Sequence, residues 1–152
     1  MIDIDTMNIM EKVDKIIIEF LKKHHVLTLA TSVNNEPWCA NCFYSFIKDD
    51  MVLVFTSDSK TKHIQDILQN PNVAGSIVLE TSVVGKIQGI QFTAIVTEST
   101  KDLTSKAHIS YLKRFPFAVL ANTSLWTVTL QTVKMTDNRL GFGKKLYWKR
   151  DE

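Results

Sequence analysis

The sequence predicts a mostly β protein, six or seven antiparallel strands with three helices, closed into a small barrel. Two observations carry this. Short apolar stretches rich in β-branched and aromatic residues follow one another across tight turns. They do not alternate with helices, so the connectivity is that of an antiparallel meander rather than a parallel sheet. A chain of 152 residues suffices for one domain with its own core, and residues 1–152 are read as that domain.

A helix is expected from about residue 6 to residue 23. Ile9, Val13, Ile16, Ile17, Phe20 and Leu21 recur at intervals of three and four, which makes one apolar face. Lys22, Lys23, His24 and His25 close it as a cationic end, where the helix dipole favours positive charge. Residues 26–33 read as a strand, Asn34-Asn35-Glu36-Pro37 as a turn, 38–47 as an aromatic-rich strand, and 51–56 as a third strand after Asp49-Asp50. A short helix follows, with Ile64, Ile67 and Leu68 on one face, Ser59 or Thr61 as its cap and Asn70-Pro71 as its end. Residues 73–79 and 83–97 supply two strands, the second interrupted by Gly85 and Gly89. Ser99 and Asp102 resemble a capping box, and the helix behind them carries Leu103, Ala107, Tyr111 and Leu112 and stops before Pro116. Residues 125–135 form another strand, and 141–148 offer a last one.

The formal charge is +2, with basic and acidic residues interspersed, so composition gives no electrostatic footprint for nucleic acid. No apolar run is long enough to span a bilayer. The first residues are acidic and lack a basic leader. The expectation is a cytoplasmic protein with reduced thiols and neither a membrane nor a nucleic-acid partner. The basic run Lys144, Lys145, Lys149 and Arg150 is read as a solvated C-terminus, with a basic arm near an anionic ligand as the alternative.

Both cysteines sit in the stretch Pro37-Trp38-Cys39-Ala40-Asn41-Cys42-Phe43-Tyr44. The spacing is C-x-x-C, but the context is a strand. There an odd separation sends the two thiols to opposite faces, with Cα atoms roughly 10 Å apart at about 3.3 Å per residue. A disulfide needs them within about 7 Å. No second C-x-x-C or spaced histidine pair completes a zinc site. Both faces of the strand are largely apolar, so two-sided burial is expected, with a ligand or a second subunit against one face.

The segment Phe55-Thr56-Ser57-Asp58-Ser59-Lys60-Thr61-Lys62-His63 leaves a strand and enters a helix. A helix N-terminus offers unpaired N–H groups and a positive dipole end. Ser57, Ser59 and Thr61 add hydroxyls, and Lys60, Lys62 and His63 add basic groups to a turn that ordinarily prefers acids. The combination suits an anion such as a phosphate.

Several short motifs carry a resemblance over nearly the whole chain. They are Trp38-Cys39-Ala40-Asn41 with Phe43-Tyr44, Gly89-Ile90-Gln91-Phe92, Arg114-Phe115-Pro116, and Thr136-Asp137-Asn138 followed by Leu140-Gly141-Phe142-Gly143-Lys144-Lys145 and Trp148. The sequence resembles the flavin-binding split barrels typified by pyridoxamine 5'-phosphate oxidase, and within them the small YhbP-like branch. The resemblance implies a split β-barrel and a homodimer with FMN at the subunit interface. Thr61-Lys62-His63 lies where the oxidases have a Ser-Arg-Lys that grips the flavin phosphate, with Phe55-Thr56-Ser57 beside it and Lys60 in the same loop. Trp38, Cys39, Ala40 and Asn41 match the strand bordering the isoalloxazine, and Gln91 matches a glutamine near the ring. Lys62 and His63 in place of Arg and Lys give up bidentate phosphate recognition. The oxidases' C-terminal substrate pattern is absent. Two functions follow from the resemblance: a flavin-dependent oxidoreductase, in which FMN carries the hydride chemistry, or a binding module for haem, flavin or another anionic ligand without turnover. No catalytic residue and no metal site is assigned.

Overall fold

The computed structural model describes residues 14–120 and 123–151; of Val119 and Leu120 only the backbone is described. Eight strands and three helices are seen among them. The order is α1 (Lys15–Lys23), β1 (Val26–Val33), β2 (Glu36–Phe43), β3 (Ser45–Ile47), β4 (Val52–Ser57), α2 (Lys62–Gln69), β5 (Asn72–Val78), β6 (Gln88–Glu98), α3 (Lys106–Arg114), β7 (Ser124–Asp137) and β8 (Lys145–Lys149). The expected helical turns from residue 6 to residue 13 lie outside the described residues.

All strand pairs are antiparallel, in the order β2-β1-β5-β6-β7-β4-β3, with β8 added to β7. The two ends of that order, β2 and β3, are one stretch of chain broken only at Tyr44. The strand expected over residues 38–47 is therefore two strands. Its first part pairs with β1 and its second with β4, so the bend at Tyr44 brings the sheet round on itself. Tyr44 is fully buried and its hydroxyl donates to the carbonyl of Leu21 in α1. The interior is filled by Leu27, Leu29, Leu53, Phe55, Ile90, Phe92, Val128, Leu130, Val133 and Met135, with Ile17, Phe20 and Leu21 of α1 packed against them.

Four local expectations are corrected. α3 starts at Lys106, capped by Ser105, whose side chain accepts from the His108 amide; Asp102 instead closes a turn by accepting from Thr104. Residues 84–86 form a 3-10 turn, so the strand expected from residue 83 begins at Gln88. His24 is not a cation at the end of α1: burial first, then the charges of Lys23, His25 and Arg114, hold its imidazole below its ordinary value, and its ring stacks on Phe20 at 4.1 Å. The tail is not merely solvated. β8 pairs along β7, and Arg150 donates to the carbonyls of Leu130, Asp50 and Met51 at 2.7, 2.8 and 3.0 Å.

Candidate functional site

β4 delivers Phe55, Thr56 and Ser57 to the start of α2. Phe55 is fully buried, and Thr56 meets the Tyr111 hydroxyl at 3.3 Å. Beyond them a small polar cluster forms. His63 Nε2 lies 2.8 Å from Ser57 Oγ and 3.4 Å from Thr61 Oγ1, and the two hydroxyls are 3.2 Å apart. Thr61 stands at the N-cap of α2 but makes no capping bond with its side chain; its hydroxyl donates to the Asp58 carbonyl at 2.9 Å. Burial, partly offset by the Asp66 carboxylate, holds the His63 imidazole below its ordinary value. At neutral pH His63 is therefore neutral, and the three basic residues of this turn supply two charges.

One of those two charges, that of Lys62, has an acidic partner. Lys62 Nζ reaches both oxygens of Asp66, at 3.1 and 3.3 Å, one helical turn on. Asp66 is buried and also accepts from Thr31 of β1 at 2.8 Å. The Thr31 hydrogen bond first, then the bond and charge of Lys62, hold its carboxyl below the usual range against the cost of burial. Asp58 accepts from the Lys60 amide. Lys62 Nζ also stands 5.6 Å from the ring centroid of Trp38, which ties the start of α2 to β2.

Among the described residues β2 pairs only with β1, so its other edge is free. Two-sided burial of this strand is not seen within one chain: Trp38 is 46% and Phe43 60% exposed. Cys42 faces the core, where burial pushes its thiol up to about 11, while Cys39 faces outward; both are free thiols. Ala40 lies between them, half-buried and paired with Leu29.

The outward face that carries Cys39 is the floor of a groove of about 910 Å³. Its geometry follows from register. Asn41, Thr28, Ser76, Gln91, Lys134 and Tyr147 lie opposite one another across β2, β1, β5, β6, β7 and β8. Two residues along each strand, Cys39, Ala30, Ala74, Thr93, Thr132 and Lys149 make a parallel row. Thr28 donates to Asn41 at 2.8 Å, and Thr93 and Thr132 share a 2.6 Å hydrogen bond. The structure thus brings the expected residues into two groups. Trp38, Phe55, Thr56, Ser57, Lys60, Thr61, Lys62 and His63 gather around the start of α2; Cys39 and Gln91 line the groove, with Asn41 beside its lining residue Thr28; β2 joins the two.

Sequence reasoning missed Asp66, Thr31 and the small residues of the groove. Asp66 carried a signal, since it stands four residues after Lys62 in a helix. Thr28, Ala30, Ala74 and Ser76 also carried one, as small side chains two apart on strands. The pairing of Thr31 with Asp66, 35 residues away, had none.

The remaining motifs are architectural. Arg114 donates to the carbonyls of Lys22, His24 and Tyr44, fastening α3 to the end of α1 and to the β2–β3 bend. Asn138 donates to the Val84 carbonyl and accepts from the Gly143 amide, which shapes the loop before β8. Gly141 and Gly143 have φ of 137° and 72° there, values that favour glycine.

A sheet curled on itself through a bent strand, with helices at its ends and a groove on its outer face, is a split β-barrel. Solved structures share it. A haem-binding protein from Mycobacterium smegmatis superposes with a TM-score of 0.70 at 17% identity, over 86% of this chain and 56% of that one, so this chain spans little more than half of it. A FAD-binding protein from Mesorhizobium loti gives a TM-score of 0.65 at 16% identity, over 81% of this chain and 94% of that one. No family model matches the chain. A UPF0306 protein of Photorhabdus laumondii is 41% identical over 138 residues, 90% of this chain and 95% of that protein. The chain belongs to the UPF0306 family.

Proposed function

We propose that this chain is an FMN-binding split-barrel protein that works as a homodimer, with the flavin phosphate at the start of α2 and the ring along the free edge of β2. The reading extends the resemblance to the pyridoxamine 5'-phosphate oxidase-like superfamily and its YhbP-like branch. The observation that carries it is the cluster of Ser57, Thr61, Lys62 and His63 at a helix N-terminus, set against an edge strand that carries Trp38. The groups suit a phosphate: an imidazole, an ammonium and the helix amides, with two hydroxyls beside them. The free edge of β2 offers main-chain groups to the polar rim of a flavin, and the outer groove has room for a planar ring beside Cys39 and Gln91.

When bound, FMN supplies hydride transfer, and an oxidoreductase of unassigned substrate is the activity this reading allows. The chain's residues bind the phosphate, orient the ring and, with a second copy over the groove, exclude water. The alternative is a haem-binding module. It is favoured by the likeness to the Mycobacterium smegmatis haem-binding protein. The described lining of the groove holds no imidazole, so Cys39 and Tyr147 would be the candidate iron ligands there.

Titration with FMN and with riboflavin, followed by flavin fluorescence, tests the reading. A charge-assisted hydrogen bond contributes about 1.5–3 kcal/mol, and about 1.4 kcal/mol is tenfold in affinity. Asp66 already holds Lys62, so the lower end applies. Lys62→Ala is expected to weaken FMN about tenfold and Lys62→Glu further, with riboflavin, which lacks the phosphate, nearly unchanged. Equal losses for both ligands would move Lys62 from the phosphate to the ring. Absorption of added haemin with a defined stoichiometry, and no saturable FMN binding, would select the haem alternative.

A further inference from the structure

Near the cluster at the start of α2, Lys60 and Lys62 are equalled in number by Asp58 and Asp66, with Lys62 paired to Asp66 and Asp58 accepting from the Lys60 backbone amide, and the imidazole of His63 is neutral at neutral pH. A phosphate dianion would thus arrive at a place with no net formal charge. The other groups around His63 add none: Ser57 and the Phe55 ring from β4, Thr61 from its own turn, and, through Asp66, Thr31 from β1. His63 is the one group of this cluster able to gain a positive charge within the physiological range.

The hydrogen bonds place the proton's destination. Thr61 commits its proton to the Asp58 carbonyl, so toward Ser57 it acts as an acceptor. Ser57 has one proton to give, either to Thr61 or to His63 Nε2. Both arrangements are satisfied with a neutral ring. In the first the ring proton lies on Nε2 and points to Ser57; in the second it lies on Nδ1 with the ring still uncharged, and in either case a second ring proton adds both a donor and a positive charge.

We propose that FMN binds together with one proton from solvent, and that this proton comes to rest on the imidazole of His63, so that the phosphate is held by an imidazolium beside the Ser57 and Thr61 hydroxyls. The balance is simple: dianion, neutral cluster and one proton give a complex with His63 protonated. The proposal rests on the reading of this site as the flavin phosphate site. It makes His63 a determinant of specificity for a terminal phosphomonoester, since the uncharged end of riboflavin gives the proton no partner.

Calorimetry of FMN binding at pH 7.5 to 8, in two buffers of different ionisation heat, counts the protons taken up. The phosphate has its second pKa near 6 and is already a dianion there, so it contributes none. Uptake approaching one proton is expected for FMN and none for riboflavin. Between pH 7 and 9 the FMN dissociation constant is expected to rise by up to about tenfold per pH unit while the pH lies between the His63 pKa of the free protein and its raised value in the complex, and to level off above the latter. His63→Gln should bind more weakly at pH 7.5 with no uptake, and His63→Lys, with a fixed charge, should bind without uptake and with little pH dependence. FMN binding with no proton uptake, or with the same uptake in His63→Gln, would overturn the proposal and leave the phosphate site standing. No saturable FMN binding by the unmodified protein would overturn both.

Discussion

Asp137 is fully buried at the end of β7 and takes three hydrogen bonds from one neighbour. The Arg139 amide and Nε donate to Oδ1 at 3.0 Å each, and the guanidinium reaches Oδ2 at 2.7 Å. These bonds hold the Asp137 carboxyl below the usual carboxylate range, although burial pushes the other way. Because the folded value lies below the unfolded one, the pair's stabilisation is complete above the unfolded value of about 3.9 and is lost as pH falls through the folded value. Arg139→Ala leaves the carboxylate with the backbone donor alone. Breaking a buried pair costs about 3–5 kcal/mol, but half of this arginine is exposed, so about 1–3 kcal/mol is expected, the cost of a buried polar group short of a partner. Urea midpoints at pH 7 and pH 3 check this. The difference between the two proteins should shrink at the lower pH, and an equal difference at both would remove the charge from the account.

At the scale of elements, β7 shows what the sequence displayed and what it concealed. Its apolar positions Trp126, Val128 and Leu130 are even-numbered, whereas Val133 and Met135 are odd-numbered. A strand changes phase in this way only by taking an extra residue. The register does shift there: Thr93 faces Thr132 and Ala94 faces Leu130, leaving Gln131 over. The bulge falls where β7 exchanges β4 for β8 as its neighbour, and Arg150 bonds the carbonyl of Leu130 there. The presence of each strand was legible because alternation is local. The bend at Tyr44 was not, because it depends on which partner each half of the strand meets. The same holds for the site: the basic and hydroxyl residues of the α2 turn stand in the sequence, whereas Asp66 meets Lys62 through a helical turn and Thr31 from across the fold. β5 gives a test of packing between elements. Phe92 lies over Gly75, and a Cβ there would stand 2.2 Å from its ring tip and 2.7 Å from the Thr28 carbonyl. A ring can shift, but the carbonyl is backbone. Gly75→Ala is expected to destabilise by about 1–3 kcal/mol, read as a lowered thermal midpoint; an unchanged midpoint would mean that β1 and β5 separate more easily than their pairing suggests.

For the whole molecule the open question is what covers the outer face of the sheet. The two rows that floor the groove are small and uncharged through their middle, Thr28, Ala30, Ala74, Ser76 and Thr93, with Lys134 and Lys149 toward one end. Charge depleted from the centre of a patch and kept at its rim is the pattern of an interface. Phe43, Val26 and Val78, on the same face by strand alternation, extend the apolar surface beyond the rows. A second copy related by a twofold axis meets the same face with itself, so one change is felt twice. Ala74 points outward, and an arginine there has room in the single chain, while in a symmetric pair two would face each other across a desolvated surface. Ala74→Arg is therefore expected to leave the thermal unfolding of the protomer cooperative while converting a dimer to a monomer by light scattering, and to weaken FMN and riboflavin together, since the ring rather than the phosphate would lose its cover. Lys62→Ala, in contrast, should leave the dimer intact and discriminate between the two ligands. An unmodified protein that is monomeric at working concentration, with a folded spectrum, would remove the second copy from the site; FMN binding that persists in that monomer would confine the site to the α2 start and the free edge of β2.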